Sequence, residues 1–279
     1  YFNISGVGNA AVGYYAMLNN ITGGSNSAFG TNALEKNTSG SDNVAIGRNS
    51  MNSNETGFRN TAVGYSSLSQ SLGAYNTAIG YDAGTIVTTG TNLTLIGNNA
   101  EPSSGTTQNQ VTLGNNSVTS LRCNVQTITS LSDARDKKNI NSLSLGINFI
   151  MRLKPRQFNW DRREWYDNNS PDGTKMESAP TAGFIAQELD SAQNEFSAEW
   201  LNLVLKDNPD KWEATYGNLL PVIVKAMQEL KEQNDILQKE NTKLARQIES
   251  MQDLEVRLAK IENELTLPGE VKETGNAGK

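Results

Sequence analysis

A glycine returns every seventeen residues through the first half of this chain, and that period narrows the fold more than any other feature. The series is Gly13, Gly30, Gly47, Gly64, Gly80, Gly97 and Gly114, with a single interval of sixteen between Gly64 and Gly80. A second series, Gly6, Gly23, Gly40, Gly57, Gly73 and Gly90, runs seven residues ahead of it. Each early unit reads Asn-x-Ala-[Ile/Val/Phe]-Gly, beginning at Asn9 (with Ala10), Asn26, Asn43, Asn60 and Asn76, and the pattern decays in the units ending at Gly97 and Gly114. Self-similarity at a fixed short period means stacked coils. Each unit supplies a short strand and then a glycine where the backbone turns sharply. The period predicts coils with two short strands each over residues 1–118, stacked at ~4.8 Å into a stalk roughly 34 Å tall.

Apolar content per coil is thin: an alanine, one larger residue, and often a Leu or Met near the next corner (Leu34, Met51, Leu68). One chain is expected to bury little by itself, whereas three around an axis would share a core, so the expected stalk is a homotrimeric β-solenoid or β-roll. The units resemble the head repeats of trimeric autotransporter adhesins and similar repeats in phage tail fibres, over about residues 3–118. Regular Thr or Asn rows can bind ice or glycans. The threonines do not recur at one fixed coil position, however, so these residues read as scaffold.

Charge divides the chain. Residues 1–131 carry only nine charged side chains (Glu35, Lys36, Asp42, Arg48, Glu55, Arg59, Asp82, Glu101 and Arg122), and the other 45 lie in 132–279. That contrast places a domain boundary near residue 131. A net charge of -6 argues against a nucleic-acid surface, which needs clustered Lys and Arg. No apolar run is long enough to insert into a membrane. There is no histidine, which removes Ser-His-Asp and Cys-His chemistry. A single cysteine, Cys123, makes no internal disulfide or structural zinc site and reads as a small buried residue. The chain opens on Tyr1 without a signal peptide, which reads as a piece of something longer.

The far end is helical. Ile223, Leu230, Leu237, Leu244, Met251, Leu258 and Leu265 form a seven-residue ladder, with Met227, Asn234, Asn241 and Ile248 on the second seam position. That position shifts to Leu254 and Ile261 after Met251, as an insertion of three residues does. The heptads predict a coiled coil over 223–265, ~65 Å long, with two buried asparagines that fix register. A disordered tail is expected over 266–279.

Between stalk and helix lies the chemistry. Residues 119–131 read as a connecting strand, and 132–222 as a small α+β domain with a helix from Gly146 toward Pro155, a strand at Gln157–Trp160 and a strand entering a helix from Thr181 to Leu189. At the seam stand Ser132, Asp133, Arg135, Asp136, Lys137, Lys138 and Ile140. Later come Leu153-Lys-Pro155, Phe158-Asn-Trp160, Gly183-Phe-Ile-Ala-Gln-Glu188 and Tyr216 with Leu219 and Pro221. In that order these motifs resemble the endosialidase-type C-terminal intramolecular chaperone, a self-cleaving serine peptidase family at the ends of phage tail spikes and fibres. The resemblance covers roughly 130–265. It implies a domain that trimerises the folding fibre and then cuts Leu131–Ser132, with Ser132 as nucleophile and Lys137 as base. Lys138 lies close enough to remain an alternative amine.

Asp133, Arg135, Gln187 and Glu188 are candidate supporting residues. Trp160, Phe184 and Tyr216 read as core. A serine needs a base, and lysine serves only when its amine is neutral, which calls for desolvation or nearby positive charge. Arg135 and Lys138 are the cations at hand, with Asp133 and Asp136 opposing. The bland alternative is that Ser132 and Asp133 cap a helix and Lys137 is solvated. The expected protein is a virion tail-fibre segment made in a bacterial cytoplasm. It needs no cofactor or metal, its partner is itself, and its mature fibre meets a host-cell surface receptor. The competing expectation is a non-enzymatic trimeric adhesin, or a cleavage-dead chaperone-tipped protein, on a bacterial surface.

Overall fold

The computed structural model describes residues 2–124 and 130–266. Two compact units are present: residues 1–138 with 205–213, and 139–204 with the chain from Ala214 onward.

The first unit is a solenoid. Seven three-residue strands, β1 (Ala10–Val12), β2 (Ser27–Phe29), β3 (Val44–Ile46), β4 (Thr61–Val63), β5 (Thr77–Ile79), β6 (Thr94–Ile96) and β7 (Val111–Leu113), pair in sequence order as one parallel sheet. Register repeats without slippage: Ala28 faces Ala45, Ala45 faces Ala62, and Ala62 faces Ala78. Each coil holds one such strand rather than the expected two. The rest of the turn is taken by tight reversals through left-handed residues, such as Asn32 and Leu34 or Asn49 and Met51. The repeating glycine belongs to this geometry. Gly47 has φ 126°, and a Cβ there would lie 2.4 Å from the carbonyl oxygen of Gly64 on the next coil.

The expectation that one chain buries little is overturned. Ala28, Leu34, Ala45, Met51, Ala62, Leu68, Ala78 and Leu95 are completely buried inside the coil of a single chain. Two asparagine ladders complete the interior. Asn26, Asn43 and Asn60 stack through Asn43 N–H to Asn26 Oδ1 at 3.0 Å and Asn60 N–H to Asn43 Oδ1 at 3.0 Å, while their amides donate to Gly40, Gly57 and Gly73 carbonyls. Asn37 Nδ2 donates to Asn20 Oδ1 at 2.7 Å, and Asn54 Nδ2 to Asn37 Oδ1 at 3.0 Å. Buried amides persist when they are paired, and of these ladder residues only Asn54 leaves a buried oxygen, its Oδ1, without a partner among the described residues. The larger residue of each unit points out instead. Val12, Phe29, Ile46, Val63, Ile79, Ile96 and Leu113 share one register position, and all but the half-buried Val63 are exposed. Thr61, Thr77 and Thr94 also align on consecutive coils, so threonine does hold one position over part of the stalk.

In the connector expected as a strand, Val118–Asn124 and Ser130–Leu131 are irregular, and residues 125–129 lie outside the described residues. Cys123 is exposed rather than buried, because this stretch has left the solenoid interior.

The second unit is α+β. A short helix α1 (Ile147–Ile150) is followed by β8 (Arg156–Phe158), antiparallel to β9 (Thr181–Gly183), which leads into α2 (Ala186–Glu195). The two-residue strands β10 (Val204–Leu205) and β11 (Glu213–Ala214) pair at the two ends of the 205–213 segment that belongs to the first unit. Last comes α3, 47 residues from Leu220 to Thr266, about 70 Å at 1.5 Å per residue. The expected tail beyond it lies outside the described residues. Phe149, Leu189, Leu203 and Val222 are the largest fully buried side chains of this unit, and Phe149 meets Phe196 edge-on with centroids 5.3 Å apart. Trp160 and Tyr216 are exposed and Phe184 is half-buried, so these three are not deep core in a single chain. The Tyr216 hydroxyl instead accepts from Phe184 N–H and donates to Phe184 O, both at 3.1 Å, and so fixes the exit of β9.

Candidate functional site

The stretch after Leu131 folds by a local device. Asp133 is extended (φ -70°, ψ 135°) and caps a 3-10 turn, Ala134–Asp136, by accepting the Arg135 N–H at 2.9 Å. This is how an aspartate satisfies an unpaired first-turn donor. The turn closes through Asp136 N–H to Asp133 O and Lys137 N–H to Ala134 O, both at 3.2 Å. Lys137 is the C-terminal cap and is extended again.

That reversal brings residue 137 back over residue 132. Lys137 Nζ lies 2.5 Å from Ser132 Oγ and 3.3 Å from Ser132 O. Lys138 is exposed beside it, and the contact to Ser132 is made by Lys137. Both halves of the bland alternative are also present, since Asp133 does cap a turn and Lys137 is exposed. They coexist with the Ser132–Lys137 contact rather than replacing it.

The charges around the pair are arranged differently from expectation. Arg135 does not stand free as a cation beside the lysine. Its guanidinium grips Asp133, with Nη2 2.6 Å from Oδ2 and Nε 3.1 Å from both oxygens. The Arg135 guanidinium, with its backbone N–H adding, holds the Asp133 carboxyl below the usual carboxylate range, and Asp133 in turn raises Arg135. Every residue from Ser130 to Ser142 is exposed, and Leu131 is 99% exposed. Among the described residues, none buries the Leu131–Ser132 bond.

Gln187 and Glu188 fall in the other compact unit, at the start of α2. Glu188 is engaged there by Arg156, with Nη2–Oε1 2.5 Å and Nε–Oε2 2.9 Å, and by Lys154 at 3.9 Å. Arg156 first, then Lys154, lowers the Glu188 carboxyl, which ties β8 to the first turn of α2. Gln187 is exposed. Sequence reasoning missed Glu229. Its carboxylate accepts the Ile147 N–H at 2.8 Å and pairs with Lys225 at 3.3 Å, so α3 caps α1. No local motif marks a cap supplied from so far along the chain. Among the described residues no group of His, Cys, Asp and Glu is disposed to hold a metal, and no helix is long and apolar enough to cross a membrane.

The chain is thus a solenoid followed in sequence by an α+β unit with a long terminal helix, with a serine–lysine contact at residues 132 and 137. Residues 132–198 match the family described as chaperone of endosialidase, and the match starts on Ser132 itself. Neither the curated proteins nor the solved structures contain a match to this chain.

Proposed function

We propose that this chain is a distal segment of a phage tail fibre whose C-terminal part trimerises and folds the stalk, then releases itself by cutting Leu131–Ser132. The observation that carries the reading is the Lys137 Nζ contact on Ser132 Oγ, placed at the first residue of the family match. Ser132 is both the nucleophile and the residue whose nitrogen departs. Its Oγ adds to the Leu131 carbonyl carbon while a neutral Lys137 amine takes the hydroxyl proton. The intermediate collapses with loss of the Leu131–Ser132 C–N bond, and the lysine returns the proton to the leaving nitrogen. An ester between Leu131 and Ser132 Oγ remains. One water hydrolyses it to a Leu131 carboxylate and a free Ser132 amine. The reaction is single-turnover because its nucleophile ends as the new amino terminus of the released piece.

Assembly supplies what the single chain lacks. A lysine serves as a base only when its amine is neutral, and desolvation is the usual way to favour that form. Two surfaces invite copies of the same chain. On α3 the seam residues Met227, Leu230, Leu237, Leu244, Ile248 and Met251 are each more than half exposed, and an isolated helix of this length with such a seam is completed by coiled-coil partners. On the stalk, the outward apolar row beginning at Val12 carries no charge at any of its seven positions. A homotrimer covers both. The released mature fibre then meets a host-cell surface receptor.

The test compares the parent with Ser132→Ala, Lys137→Ala and Lys138→Ala on denaturing gels, with N-terminal sequencing. The parent and Lys138→Ala are expected to yield two fragments, one beginning at Ser132, and the other two variants to remain whole. A verified trimer of the parent that stays whole would remove the peptidase reading and leave a permanent chaperone-tipped surface fibre.

A further inference from the structure

We infer that Asp133, braced by Arg135, is the positioning residue that folds Lys137 back onto Ser132; this rests on the Ser132–Lys137 reading above. An extended chain separates residues five apart by about 17 Å, far more than the ~6 Å that a lysine's four-carbon stem can span. The contact therefore exists only while the chain is reversed between the two residues. The reversal is a single 3-10 turn, and such turns are weak on their own. Here the turn's backbone bonds are the two at 3.2 Å, from Asp136 to Asp133 O and from Lys137 to Ala134 O. What is added is the Asp133 side chain, which accepts the Arg135 N–H at 2.9 Å and is itself held by the Arg135 guanidinium. None of the turn's residues is buried. In the absence of packing, the cap is the local interaction that fixes the turn.

The arrangement also assigns Arg135 a role other than lowering the lysine's proton affinity. Its charge is spent on the same carboxylate that caps the turn, so the pair presents little net charge toward Ser132. Arg135 steadies the cap, and the cap steadies the lysine. The two functions of Asp133 are separable by substitution. Asparagine and serine keep an oxygen able to accept the Arg135 N–H, while alanine keeps neither cap nor ion pair.

The experiment follows the first-order cutting of the full 279-residue chain after assembly, with trimer content measured in parallel. The variants are Asp133→Ala, Asp133→Asn, Asp133→Ser and Ser132→Ala. Asp133→Ala is expected to assemble normally and cut at least tenfold more slowly. Asp133→Asn and Asp133→Ser are expected to restore cutting to within about threefold of the parent, a rescue that a general structural defect would not give. Cutting by Asp133→Ala at the parental rate overturns the inference, as does equal slowing in all three Asp133 variants. Cutting of Ser132→Ala at the same bond is a different failure, because it removes the dyad itself.

Discussion

Asn43 binds three coils together through one side chain. Its Nδ2 donates to Gly57 O at 2.9 Å and to Asn26 Oδ1 at 3.1 Å, while its Oδ1 accepts the Asn60 N–H at 3.0 Å. Asn43→Ala leaves the Asn60 N–H unpaired where water does not reach, at about 1–3 kcal/mol, while the Gly57 carbonyl keeps its bond from Asn54 Nδ2 at 3.1 Å. The expected loss is roughly 2 kcal/mol of stalk stability, read as a lower denaturation midpoint in an uncut Ser132→Ala background. An unchanged midpoint would contradict the ladder's role. The asparagine itself was plain in the sequence as the first letter of each unit. Its direction was not, because asparagine is ordinarily a surface residue. The same ambiguity affects Ala28 and Phe29. Alternation places them on opposite faces without saying which is inside, and the structure puts alanine in and phenylalanine out. Interior space decides it, since a coil this narrow already holds Leu34 and the ladder. At the site, the Ser132–Lys137 pair was legible from motif order, whereas the grip of Arg135 on Asp133 depends on a turn whose dihedrals the residue names do not specify.

Elements show a similar division. The α3 heptads were readable because the spacing extends over many turns. The extent of α1 was not: it was expected to run toward Pro155 but ends at Ile150. Proline disfavours helical backbone in the residue before it, and here the chain has already tightened, with Leu153 N–H bonding Ile150 O. What keeps so short a helix is Glu229 on α3. A Cβ on Gly146 would lie 2.1 Å from Glu229 Oε2, so the carboxylate sits directly on the first turn. The Ile147 N–H, and secondarily Lys225, lowers the Glu229 carboxyl in the folded state. A depressed carboxyl contributes stability above its unfolded value of about 4.3, and that contribution is lost as pH falls through the lower folded value. Amide exchange at Ile147 is therefore expected to speed up, relative to the intrinsic rate, as pH drops below about 4. Glu229→Gln is expected to remove that pH dependence. Identical profiles for parent and variant would contradict the cap.

At the scale of the molecule, the stalk closes its own interior, and it presents an uncharged apolar row outward. The long helix presents a second apolar seam. In the sequence between stalk and helix lies a peptide bond next to a serine–lysine pair that has the distance for chemistry and is exposed among the described residues. Under the proposed function, assembly would complete the seams, bury the pair and permit one cut, after which the aligned fibre would be left without the domain that aligned it. The solenoid and the long helix were legible in the repeats and heptads. The exposure of the pair was not, because solvent access at an irregular connector is set by partners rather than by local residues. The most direct measurement is the rate of appearance of the fragment beginning at Ser132, followed by intact mass over a dilution series with oligomeric state read in parallel. Cutting is expected to track trimer content and to become independent of concentration once trimers have formed. The same rate in monomeric chain, or no cutting by verified trimers, would contradict the account.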